Sequence, residues 1–179
     1  MNRHVRHTLA AGAVLLGSGI VCVQSASAHA VASLNGTHAV AGTSGALSLT
    51  LQHGCVGGYE TDTVVTTFSS AFRSVKARPV GGWTSQVSRV RGGTWKATWK
   101  VIGAPIPFAQ PFTFTLAVRW PKRSGVYTAP TMQYCGPHSS AWVDTYTGPA
   151  DGVHTSPADM PVPEILVKPA ARTAVPVSG

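Results

Sequence analysis

From Leu47 to Cys55 apolar and polar residues alternate. Leu47, Leu49, Leu51, His53 and Cys55 share one parity, and Ser48, Thr50 and Gln52 take the other. Successive side chains of a strand point to opposite faces, so this predicts a strand with a leucine-lined buried face that also carries His53 and Cys55. Residues 94–101 repeat the pattern: Trp95, Ala97, Trp99 and Val101 fall on one side, Lys96 and Lys100 on the other. Such tryptophans read as core packing rather than as a sugar-binding platform. Further strands are predicted over 63–68, 73–77, 84–90, 112–120, 128–134 and 141–146, with glycine- and proline-rich turns at 79–82 and 103–111. From Thr147 the chain reads as loop until 164–167, an apolar run after Pro161 and Pro163 that suits an edge strand. Helical periodicity is scant and no internal repeat is visible. The expected fold class is therefore all-β, a β-sandwich.

The first 28 residues read differently. Arg3 and Arg6 precede an apolar run from Leu9 to Val23, and Ser25-Ala26-Ser27-Ala28 follows as a small-residue cleavage site. This is the pattern of a secretory signal. Its removal leaves 151 residues, enough for one domain (29–168) and a short tail (169–179). A rival cut after Ala30 also has small residues at both required positions and would delete His29. No later apolar stretch approaches the ~18 residues of a membrane span, and Val21 before Cys22 does not suit a lipoprotein signal. A periplasmic or secreted protein without a membrane anchor is expected.

Charge changes this picture little. The whole chain has 14 basic and 6 acidic residues, and only 11% of its residues are charged. The cations are scattered, with no basic run beside an aromatic platform, so a nucleic-acid partner is not expected. Two cysteines survive processing, Cys55 and Cys135. An isolated pair in an oxidising compartment predicts one disulfide, and closing so long a loop would stabilise the fold by about 4–5 kcal/mol. Thiolate binding of Cu(I) is the alternative.

Candidate chemistry starts at His29. Cleavage after Ala28 frees its α-amine, which can close a chelate ring on a metal together with the imidazole of the same residue. Nitrogen ligands favour Cu(II) among the first-row divalent ions. An α-amine has a reference pKa of about 8, so Cu(II) must displace a proton and binding should strengthen as pH rises. His53, on an apolar face two residues from Cys55, is either a satisfied rim histidine or a further ligand. His38, His138 and His154 read as exposed loop residues, each at most a weak secondary site. Conventional catalytic signals are lacking: no spaced carboxylate pair, nucleophile elbow, phosphate loop, HExxH or CxxC occurs. An enzyme is not expected.

Taken in order, several segments resemble the YcnI-like copper-binding domains over nearly the whole mature chain. They are the opening histidine, His53-Gly54-Cys55, Val75-Lys76 to Gly82-Trp83, Thr98-Trp99, Gln133-Tyr134-Cys135, Trp142 and Pro161-Val162-Pro163. The resemblance implies an Ig-like β-sandwich that holds Cu(II) through a brace made by His29, with His53 as a further ligand and Trp142 beside the metal. Three departures stand out. Phe68-Ser69-Ser70-Ala71 replaces the family's usual turn. Glu60 and Asp62 enter the start of a strand, making Glu60 a rival ligand. The C-terminal membrane anchor of some members is missing. The implied function is copper buffering or delivery in the periplasm, with copper chaperones or transporters as partners. The alternatives are a copper-dependent polysaccharide mono-oxygenase and a metal-free Ig-like interaction module.

Overall fold

A computed structural model describes residues 30–34, 38–145 and 160–171. Twelve strands follow one another, with one short 3-10 turn at Arg91–Gly93: β1 (Ala30–Ser33), β2 (Ala39–Val40), β3 (Ser44–Leu51), β4 (Thr63–Phe68), β5 (Ser74–Ala77), β6 (Trp83–Arg89), β7 (Trp95–Val101), β8 (Phe112–Arg119), β9 (Gly125–Thr128), β10 (Thr131–Cys135), β11 (His138–Trp142) and β12 (Glu164–Lys168). They form sheets of order β1-β3-β8-β5, β11-β10-β4-β7-β6 and β2-β12-β9.

The two larger sheets face each other. The predicted leucine face of β3 pairs in register with the apolar face of β8, Leu47 opposite Leu116 and Leu49 opposite Phe114. Across the sandwich, Phe114 meets Trp99 of β7 at 4.7 Å between ring centroids and Trp83 of β6 at 5.2 Å. Leu47, Leu49, Trp99, Phe114 and Leu116 are all buried. Each leucine or phenylalanine so placed contributes about 1.5–3 kcal/mol. The tryptophan face of β7 is core, as its parity predicts, while Lys96 and Lys100 stay exposed.

The strands β1 and β2 fall where none is expected, and four expected elements take a different course. The first predicted strand stops at Leu51, which pairs with Phe112, the first residue of β8; beyond it Pro111 offers no N–H and the chain bends. His53 therefore lies past the strand, half-buried, rather than on its apolar face. The predicted strand 128–134 is two strands in two sheets, β9 against β12 and β10 against β4. The switch falls at Ala129-Pro130, where the Ala129 N–H turns to the Pro163 carbonyl (2.8 Å). The strand predicted over 141–146 runs instead over His138–Trp142, returning from β10 through a turn at Gly136, whose φ of +62° suits glycine. Its predicted end at Tyr146 lies outside the described residues. Finally, β12 is no edge strand: parallel to β2 on one side and antiparallel to β9 on the other, it buries Ile165 and Val167.

Candidate metal centre

Past Leu51 the chain runs through His53-Gly54-Cys55 in a tight passage. The Gly54 N–H donates to the Phe108 carbonyl (2.8 Å) and the Cys55 N–H to the Tyr59 carbonyl (3.0 Å). A Cβ at Gly54 would run into the Tyr59 carbonyl oxygen and lie 3.0 Å from the Phe108 Cα. Only glycine fits between the two neighbouring segments. Cys55 is joined to Cys135 of β10, with Cα atoms 6.0 Å apart. The predicted disulfide is present, and neither sulfur remains a thiolate for Cu(I).

His53 is oriented from both sides. Its Nδ1 bonds to the Gly54 carbonyl oxygen. A carbonyl only accepts, so Nδ1 carries a proton, and in the neutral ring the lone pair is on Nε2. The ring lies 5.8 Å from Trp142 and 5.4 Å from Phe108, centroid to centroid. Trp142 is fully buried in the core and also walls the histidine.

Gln133 ties these parts together, and its role was not read from the sequence. It sits on β10 between Thr131 and Cys135, all three buried. Its Nε2 donates to the His53 carbonyl (2.8 Å) and to Thr61 Oγ1, while its Oε1 accepts from Trp142 Nε1 (3.0 Å). Every polar atom of this buried amide is paired, which such burial requires. The available signal was parity: a polar residue on a face otherwise destined for the interior.

The other candidate residues stand apart. Glu60 is exposed, and its carboxylate enters no hydrogen bond or ion pair among the described residues. Asp62 accepts from the Gly136 N–H (2.6 Å). His138 opens β11 rather than lying in a loop, and stacks on Tyr59 at 3.6 Å. His38 is exposed ahead of β2. His29 and His154 lie outside the described residues. Among the described residues no group of three or more His, Cys, Asp or Glu side chains is placed to hold a metal ion. The first described residue, Ala30, pairs with Leu51, so β1 begins at the end of the sheet from which His53 projects.

Comparison with known proteins bears on the fold. The sequence matches no protein-family model and no curated protein. Among solved structures the chain is similar to an uncharacterized protein from Nocardia farcinica described as having an immunoglobulin-like fold. The TM-score is 0.60 and the identity 20%, over 79% of this chain and 99% of that one. A cohesin module of a family 33 glycoside hydrolase from Clostridium perfringens aligns with a TM-score of 0.49 and 10% identity, over 80% and 99% of the two chains. The chain has an immunoglobulin-like β-sandwich fold. The disulfide is a mark of an oxidising compartment, and no helix among the described residues is long and apolar enough to cross a membrane.

Proposed function

We propose that this protein binds Cu(II) in the periplasm or outside the cell and buffers or delivers it. The observation that carries this reading is the state of His53. Its Nδ1 is spent on the Gly54 carbonyl, which leaves Nε2 as the nitrogen that would ligate, and its backbone is held by Gln133 beside the Cys55–Cys135 crosslink. A ligand fixed through its second nitrogen is what metal sites use to set tautomer and direction. The α-amine and imidazole of His29 would supply two further nitrogens; Ala30, the next residue in the sequence, pairs with Leu51, two residues before His53. Three nitrogens in a T-shaped or square-planar set suit Cu(II). Trp142 and Phe108 give the histidine an apolar wall that limits solvent access. Glu60 is the rival for the third position. Copper is the cargo, and no turnover is assigned.

The test is Cu(II) titration of the processed protein, followed by electron paramagnetic resonance. One ion should bind, more tightly as pH rises. His53→Ala should remove one nitrogen coupling, and one residue added ahead of His29 should abolish most of the affinity. An unchanged spectrum for His53→Ala moves the third ligand to Glu60 or water. Undiminished one-to-one binding by the extended protein refutes the brace, and no binding by the processed protein leaves the metal-free Ig-like module.

A further inference from the structure

At the end of the sandwich away from His53, three separate parts of the chain converge on one cleft of about 440 Å³. The turn after β4 brings Arg73, the end of β6 brings Arg89, and the link from β8 to β9 brings Lys122 and Arg123; no carboxylate lines it. A second cleft of about 500 Å³ lies on the outer face of β3, β8 and β5, where Lys76, Arg78 and Arg119 stand over a floor that includes Ala46 and Ala117. The two clefts adjoin, because the Arg73 N–H donates to the Arg119 carbonyl (3.0 Å). All seven cations are exposed. Among the described residues none of the seven enters an ion pair or donates a side-chain hydrogen bond, although Arg89 lies over the Trp95 ring at 4.5 Å.

Seven like charges with no ion-pair partner among the described residues repel one another, so this face is set to attract a polyanion. From Arg73 to Arg78 the edge strand alone extends roughly 16 Å at the usual rise per residue. A single small anion cannot touch both ends. Both sets of cations line shallow, open depressions, along which a flexible chain can lie. Base stacking has little platform there: Arg89 covers one face of Trp95, and the half-buried Tyr127 ring packs against the buried Phe72 (5.8 Å between centroids). We infer that the β5 edge and the adjoining cleft form a binding site for an acidic polysaccharide, a flexible chain of carboxylate-bearing sugars. This site is independent of the copper reading.

Affinity electrophoresis of the full chain through gels containing polygalacturonate, with neutral dextran as control, tests it. The protein should be retarded by polygalacturonate alone, and less so as salt is raised. The double variant Arg73→Gln, Arg123→Gln should bind about tenfold more weakly, as expected for two lost exposed charge contacts. Lys96→Gln with Lys100→Gln removes the same charge from the outer face of the other sheet and should leave binding unchanged. Circular dichroism establishes that both variants are folded. Equal losses in the two variants would show a net-charge effect and overturn the site. Preferential binding to vesicles of phosphatidylglycerol and phosphatidylcholine, or to duplex DNA, would overturn the polysaccharide.

Discussion

Trp142 and Trp99 are both wholly buried in the same core, yet their indole N–H groups meet opposite fates. That of Trp142 donates to Gln133, whereas that of Trp99 has no partner among the described residues. Around Gln133, polar atoms from His53, Thr61 and Trp142 interlock next to a crosslink. Around Trp99, Phe114 and Trp83 the contacts are ring on ring. A buried pair is worth about 1 kcal/mol net, while a buried group stripped of its partner costs about 1–3 kcal/mol. One end of the sandwich is thus specified by directional bonds, and the middle by shape and apolar area.

Three measurements can break or sharpen this contrast, all by urea unfolding, with m unchanged except where the crosslink is removed and the unfolded chain expands. Cys55→Ala with Cys135→Ala has the largest expected effect, about 4–5 kcal/mol from the long loop it opens. If stability fell by less than about 1 kcal/mol, the crosslinked end would not be holding the fold. Gln133→Leu comes next, at about 3 kcal/mol, because it leaves the Trp142 N–H and the His53 carbonyl unpaired. It should also loosen His53 and weaken Cu(II) binding, whereas truncating a core leucine, Leu49→Ala, should lower stability alone. The smallest effect is a difference: Trp142→Phe should cost about 1–2 kcal/mol more than Trp99→Phe, since only the former orphans an acceptor, Gln133 Oε1. Equal costs would mean that the indole bond contributes nothing beyond packing.

Much of the fold was legible because parity is a local property. Leu47, Leu49 and Leu51 turn inward, as do Trp95, Ala97 and Trp99, and the lysines between those tryptophans turn outward. What parity does not carry is partnership. It extended the first strand through His53 because nothing local reveals that β8 begins at Phe112 and leaves Gln52 and His53 without a partner in that sheet. It joined β9 to β10 because a change of sheet at Ala129-Pro130 is set by the distant Pro163. The crosslink was legible from two cysteines and a leader-like start. Gln133 was passed over because its three partners come from residues 53, 61 and 142. The basic clefts were illegible for the same reason: Arg73, Arg89 and Lys122 are scattered along the chain and converge only through sheet order.

The pairing of β12 has a consequence for biosynthesis. It sets Val167 beside Ala39 and carries Ile165 and Val167 into the shared core, so strand β2 has no neighbour in its sheet until residues near 167 have been made. A contact between such remote positions forms slowly, because nearly the whole chain must be looped before it is rewarded. A nascent chain therefore cannot close this core before β12 has been made, and until then it stays open.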